Sequence, residues 1–214
     1  MNIDRSKNII VAIPKGRILK ELIPLLKKDD IELDEEFFNE KSRKLFFDTN
    51  IPFLKAIICR SFDAATFVSY GAADFGFCGS DVIEEFDYRN IYKMLDLDIG
   101  KCRFSIAGKA KKDIEAKKDV VVATKYPNLT KGFFAKKGIK AEVIKLNGSI
   151  EVAAKLDLCD FIADLVSTGT TLKENNLKEL EKVTKVSSQL IVNKSSLVTN
   201  NDLMLKVLER FIDV

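Results

Sequence analysis

A chain of 214 residues can form one large domain or two small ones, and its 46% apolar and 31% charged residues are globular proportions that exclude disorder. Its 35 basic and 32 acidic residues leave a formal charge of +3, too weak a field to argue for nucleic acid or an anionic membrane, so an anionic ligand must be met by a few placed groups. Histidine is absent, which removes Ser-His and Cys-His nucleophiles and the commonest general base; Cys59, Cys78, Cys102 and Cys159 form no C-x-x-C pair or zinc set and read as reduced, packed thiols.

In chain order, Asn8 to Ile13 reads as a strand. Its apolar run ends at Pro14-Lys15, far short of a signal h-region or a membrane span, so a cytoplasmic protein is expected. Ile18, Leu19, Leu22, Ile23, Leu25 and Leu26 share one face of a helix reaching Lys28. Arg43 to Phe47 and Phe53 to Cys59 are predicted strands, paired as a hairpin across Asn50-Ile51-Pro52. Asp63 is the expected N-cap of a helix to about Tyr70, closed by Gly71. A strand from Asp74 to Cys78 and a helix opened by Ser80 or Asp81 follow. Ile91 to Leu97 and Cys102 to Ala107 are strand-like and flank Gly100 with no helix between them, a natural hinge. Past the solvated Lys clusters at Lys109 to Lys112 and Lys117-Lys118 the alternation resumes: strand Val120 to Thr124, helix Asn128 to Lys137 stopped by Gly138, strand Ala141 to Leu146, helix Ser149 to Leu156 and strand Asp160 to Val166. A strand from Gln189 to Val192 and a helix from Asp202 to Ile212 finish the chain.

This alternation predicts an α/β protein of two lobes, each a mainly parallel sheet flanked by helices: lobe I from residues 1–101 plus 186–214, lobe II from residues 102–185. Ligands in such folds bind beyond the carboxyl ends of strands, which places the expected site in a cleft between lobes.

The segment Phe161 to Leu172 carries the most chemistry. A buried strand ends on Asp164 and opens into Ser167, Thr168, Gly169, Thr170 and Thr171 before a short helix. The hydroxyls offer donors, Gly169 lets backbone approach a ligand, and the helix start adds free N–H groups, which together make a phosphate cradle. Asp164 would repel phosphate but suits the paired hydroxyls of a ribose. The alternative is a cluster in which Asp164 or Ser167 merely caps the helix. Lys15 and Arg17, around Gly16 at the end of the first strand, can both reach an anion, and Arg43 and Arg60 sit at predicted strand ends; each is equally readable as a solvated cation. Gly71 to Asp81 reads first as tight packing, and in Asn147-Gly148-Ser149-Ile150-Glu151 Ser149 caps a helix whose dipole accounts for Glu151.

As a set, Val11 to Arg17, Gly71 to Asp81, Ala123 to Asn128, Ile144 to Glu151 and Asp164 to Leu172 closely resemble ATP phosphoribosyltransferase, in order and over nearly the whole chain. Thr170 stands where the family varies, as do Asn147 and Ile150. The resemblance implies a periplasmic-binding-protein-like (type II) pair of lobes and the short form of the enzyme. It also implies a homodimer within a hetero-oligomer that includes a regulatory subunit resembling histidyl-tRNA synthetase. The implied reaction transfers the 5-phosphoribosyl group of phosphoribosyl pyrophosphate to N1 of ATP, with Mg2+ bound mainly through substrate oxygens. Asp164 is then expected to hold the ribose hydroxyls and Ser167 to Thr171 the 5-phosphate. Lys15, Arg43 and Arg60 would face the pyrophosphate and ATP phosphates, with Arg17 and Glu151 as further members of the site. A solute-binding module on the same fold and a phosphoribosyltransferase for another base remain the alternatives.

Overall fold

The computed structural model describes residues 4–5, 7–109 and 113–211, which fall into two compact units. One takes the chain up to Ile83, Asp87–Gly100 and everything from Ser187; the other takes Glu84–Phe86 and Lys101–Val186. The strands are β1 (Ile9–Pro14), β2 (Phe47–Asp48), β3 (Leu54–Cys59), β4 (Phe75–Gly79), β5 (Ile91–Asp96), β6 (Cys102–Gly108), β7 (Asp119–Thr124), β8 (Lys140–Lys145), β9 (Phe161–Val166), β10 (Lys178–Val186) and β11 (Ser188–Asn193). The helices are α1 (Arg17–Lys28), α2 (Ser61–Ser69), α3 (Ser80–Phe86), α4 (Pro127–Lys136), α5 (Glu151–Lys155), α6 (Thr170–Glu174), α7 (Lys194–Thr199) and α8 (Asn201–Leu208), with a 3-10 turn at Glu35–Phe38. No described helix is long and apolar enough to cross a membrane.

In the first unit the strand order is β2-β3-β1-β4-β11-β5. Strand β1 runs parallel to both β3 and β4 and is buried along its whole length, which is why Ile9 to Pro14 is a continuous apolar run rather than an alternating one. Ile9, Val11 and Ile13 pack with Leu22 and Leu26 of α1 and with Met204 and Val207 of α8, while Ile10 and Ala12 meet Ala64, Ala65 and Val68 of α2 on the other face. Asp74, fully buried just before β4, ties this sheet together. Its carboxylate accepts from Ile10 N at 2.7 Å, Ser196 Oγ at 2.7 Å and Arg5 Nη2 at 3.0 Å. Asp74→Ala takes the carboxylate from the buried donors Ile10 N and Ser196 Oγ and is expected to lower stability by about 3 kcal/mol in urea unfolding, whereas Arg5→Ala, whose side chain is partly exposed and also donates to Gly71 O, costs about 1 kcal/mol or less. Equal losses from the two variants would refute this account of the carboxylate.

The second unit holds a five-stranded sheet in the order β10-β6-β9-β7-β8. Ile162 and Val166 of β9 face Ala153 and Ala154 of α5 and Leu172 of α6. The opposite face carries Phe161, stacked on Phe134 of α4 with ring centroids 6.4 Å apart. Pro127 opens α4, and the carboxylate of Glu85, counted in this unit, accepts from the next two free N–H groups, Asn128 N at 3.0 Å and Leu129 N at 3.0 Å. Thr124 Oγ1 donates to Ala163 O at 2.6 Å and accepts from Tyr126 N, so the segment from Ala123 to Asn128 is explained by packing and capping.

The architecture is α/β, with two sheets each flanked by helices. Parallel strands, β3-β1-β4 and β9-β7-β8, are extended by antiparallel ones. The chain leaves the first unit through β5 and β6 and returns through β10 and β11, so the two passes pair antiparallel within their sheets. Other departures are local. The strand expected from Arg43 to Phe47 shrinks to β2, leaving Arg43 in the preceding loop, although the hairpin with β3 forms as predicted. Asp63 lies in the first turn of α2 and does not cap it; Arg60 is the N-cap residue, with no side-chain bond. Ser149 does not cap α5 but takes φ 51, one residue before the N-cap position at Ile150. Lys111-Lys112 of the first Lys cluster and the expected helix end at Ile212 lie outside the described residues.

Candidate functional site

In the first unit the candidate basic residues gather at the carboxyl ends of parallel strands. The register pairs Pro14 with Cys59, and Lys15 N donates to Cys59 O at 2.8 Å, so Lys15 and Arg60 are the next residues out on adjacent strands. Both are exposed. The strand order changes direction around β1, with β3 on one side and β4 on the other, which is where open α/β sheets take ligands. Gly16 makes the turn from β1 into α1 at φ 86 and ψ −140, a region closed to residues with a Cβ, so the chain can present Lys15 outward and start a helix at once. Arg60 O accepts from Ala64 N at 2.9 Å, a main-chain bond that holds the start of α2 without using the guanidinium. Arg43 is exposed rather than set at a strand end. Because β2 runs antiparallel to β3, the loop before it heads toward the end of β3 that carries Arg60.

Arg17, two residues beyond Lys15, also makes a main-chain contact. Its Nη2 donates to Gly100 O at 2.5 Å, while Glu21 Oε2 accepts from Gly100 N at 2.8 Å, so α1 holds both main-chain polar groups of one residue.

Burial pushes the thiol of neighbouring Cys59 up to about 12, reinforced by the Asp63 carboxylate and only partly opposed by Lys15. Cys78, fully buried, is raised further still by desolvation and Asp81. Both stay protonated at neutral pH and are poor nucleophiles, in keeping with packed thiols.

In the second unit β9 delivers Asp164 to the start of the hydroxyl-rich loop. Asp164 is half-buried and its Oδ1 accepts from Leu165 N at 2.8 Å, a local bond that orients the carboxylate. Gly169, at φ 81, is the N-cap residue of α6, and the Thr168 hydroxyl accepts from Thr170 N, the first N–H of the helix, at 3.4 Å. A left-handed residue is required there, which accounts for glycine. Ser167, Thr168, Thr170 and Thr171 are exposed, and the Thr168 and Thr170 hydroxyls are paired at 2.9 Å. Four hydroxyls on five consecutive residues thus bend around one tight turn. Glu151 is the first residue of α5, half-buried in its first turn.

Sequence reading missed a group behind this loop. Arg103 of β6 donates from Nε and Nη2 to Glu179 Oε1 and Oε2, each at 2.5 Å, and from Nη1 to Ser167 O at 2.8 Å. Ser105 Oγ, fully buried, donates to Glu179 Oε1 at 2.7 Å. Hydrogen bonding from Arg103, with help from Ser105, holds the Glu179 carboxyl below its usual range. The group was invisible because β10 was not foreseen.

A family model described as ATP phosphoribosyltransferase (HisG) matches residues 60–213. The chain is 51% identical over 201 residues to ATP phosphoribosyltransferase of Novosphingobium aromaticivorans, covering 90% of this chain and 88% of that one. It is 49% identical to the ATP phosphoribosyltransferase of Paramagnetospirillum magneticum, covering 95% and 94%. Among solved structures it is similar to the ATP phosphoribosyl transferase (HisG:HisZ) complex from Thermotoga maritima, with a TM-score of 0.80 and 30% identity over 95% of this chain and 96% of that one. The ligand-binding component of an ABC-type import system from Staphylococcus aureus shares the fold alone, with a TM-score of 0.57 and 12% identity over 96% of this chain and 72% of that one.

Proposed function

The chain belongs to the ATP phosphoribosyltransferase family, whose reaction opens histidine biosynthesis, and we propose how its residues divide that reaction. Adenine N1 of ATP forms a bond to the anomeric carbon of phosphoribosyl pyrophosphate; the bond from that carbon to oxygen breaks, and its electron pair departs with pyrophosphate. N1 is nucleophilic without deprotonation, so no histidine is needed. Catalysis rests on alignment and on cations at the leaving group.

Asp164 accepts from the ribose hydroxyls, and Ser167, Thr168, Gly169, Thr170 and Thr171 surround the 5-phosphate. Lys15 and Arg60 take the leaving pyrophosphate and the phosphates of ATP, with Arg43 joining them from its loop; Glu151 and Arg17 are minor members. The supporting observation is the loop after β9: a carboxylate at the strand end followed by four exposed hydroxyls around a left-handed glycine at the start of α6. Mg2+ is carried mainly on substrate oxygens, and the half-buried Asp164 carboxylate beside the ribose is a hard oxygen donor of the kind that suits it. When bound, Mg2+ neutralises charge building on the pyrophosphate. By analogy with the Thermotoga maritima complex, a HisZ-type regulatory subunit is the proposed partner, and the cytoplasm, where ATP is plentiful, the proposed compartment.

The test is product formation. With ATP, phosphoribosyl pyrophosphate and Mg2+, the chain and its HisZ-type partner should give phosphoribosyl-ATP and pyrophosphate, read by absorbance and mass spectrometry, and omission of either substrate should abolish both. Tight binding of ligand without turnover would instead identify a solute-binding module.

A further inference from the structure

We infer that Arg103 is a positioning residue for phosphoribosyl pyrophosphate, held in place by Glu179 and Ser105 so that its guanidinium sets the backbone of the sugar-phosphate loop. Strand β9 ends at Val166, which pairs with Arg103 in the β6-β9 ladder; beyond it the chain turns away and the ladder can offer Ser167 O no strand donor. Arg103 Nη1 supplies that donor at 2.8 Å and also lies 3.4 Å from Val166 O. A planar trans peptide holds C=O and N–H in opposite directions, so a Ser167 carbonyl turned onto Arg103 points the Thr168 N–H away from it, to the outer side of the loop. One side chain thereby decides which way the first amide of the loop faces.

Glu179 makes this orientation rigid. Two parallel bonds to Nε and Nη2 fix the plane of the guanidinium, and the buried Ser105 hydroxyl fixes Glu179 in turn. Ser105 pairs with Asp164 in the same ladder, so this network runs alongside both the ribose carboxylate and the phosphate turn. The carboxylate also neutralises Arg103, whose contact with the loop is to carbonyl oxygen. The role is therefore orientation of donors rather than attraction of phosphate.

Arg103's role rests on the sugar-phosphate assignment of the loop, and the experiment separates the two. With the HisZ-type partner present, Arg103→Met is expected to raise KM and Kd for phosphoribosyl pyrophosphate about tenfold, the worth of one charge-assisted bond. KM for ATP should stay within about twofold. Arg103→Lys, which cannot hold Glu179 and the loop in one plane, should recover only part of the loss. Glu179→Gln should weaken the same affinity by about threefold, as charge assistance is lost and the shape kept. An unchanged donor affinity in Arg103→Met, or equal losses for both substrates, would overturn the inference. If that variant does not fold, Glu179→Gln decides in the same terms. Thr168→Ala and Asp164→Ala serve as controls: unchanged donor binding in both removes the loop assignment itself, whereas weakening in both with none in Arg103→Met removes only the role of Arg103.

Discussion

Asp164→Ala is expected to raise the dissociation constant for phosphoribosyl pyrophosphate by about fiftyfold to a hundredfold while leaving ATP affinity within about twofold. Two hydrogen bonds from ribose hydroxyls to a charged acceptor are worth roughly 2.5 kcal/mol together, which is that factor in affinity. Two effects act against each other. Removing a carboxylate also removes its repulsion of the donor's phosphates, which favours binding. That gain is screened over the distance between ribose hydroxyls and phosphate, whereas the hydrogen bonds are lost at contact, so the loss wins. The variant also strips Leu165 N of its acceptor, costing about 1 kcal/mol of local stability, and Asp164→Asn controls for this because an amide oxygen can keep the bond. The asparagine variant should lose about tenfold. Calorimetric titration with the Mg2+ complex of the donor reads all three proteins. A donor affinity in Asp164→Ala within twofold of the parent would sink the assignment.

Arg60→Ala should instead act on turnover, lowering kcat by about a hundredfold to a thousandfold, the usual consequence of deleting one cation or donor aimed at developing charge. Substrate affinities should change far less, because the phosphates in the ground state keep Lys15 on the adjacent strand. The fold offers no reason for a large loss of stability: the guanidinium is exposed, and the bond Arg60 makes to α2 is through its carbonyl, which alanine retains. Arg60→Lys keeps the charge without the fork and is expected to fall between. Pre-steady-state turnover with saturating substrates, alongside thermal unfolding, separates the possibilities. A kcat within about fivefold of the parent, or a fall matched by unfolding, would show that Arg60 is only a solvated cation.

Much of the candidate site was legible because its residues lie where strand-to-helix turns carry unusual residues. Gly16 between two cations and Gly169 among four hydroxyls both occupy left-handed backbone, and that requirement writes itself into the sequence as glycine. Elements with strong patterns were placed well for the same reason: β1, β3, β7 and β9 bury β-branched and aromatic side chains, and α1 shows an apolar face despite Pro24 in its middle. The exceptions are elements whose pattern is set by their neighbours. Strand β10, with sequence Lys-Glu-Leu-Glu-Lys-Val-Thr-Lys-Val, is an edge strand with charges on exposed and half-buried positions alike and two register shifts against β6, so its periodicity is broken. Glu179 went unseen with it. The strand expected from Arg43 does not form before Phe47, and Leu45 and Phe46 stay exposed in the loop.

The sequence by itself determined the α/β alternation, the positions of the glycine turns and the chemical types at the loop after β9, since each of these follows from local backbone sterics and from which side chains must leave water. Only the tertiary structure decided that Lys15 and Arg60 stand side by side, that Arg17 and Asp74 hold backbone and sheet together, and that Arg103 meets both Ser167, 64 residues on, and Glu179, 76 residues on. Those are contacts between residues distant in sequence, set by strand order and register, and no local pattern encodes which two strand ends will meet.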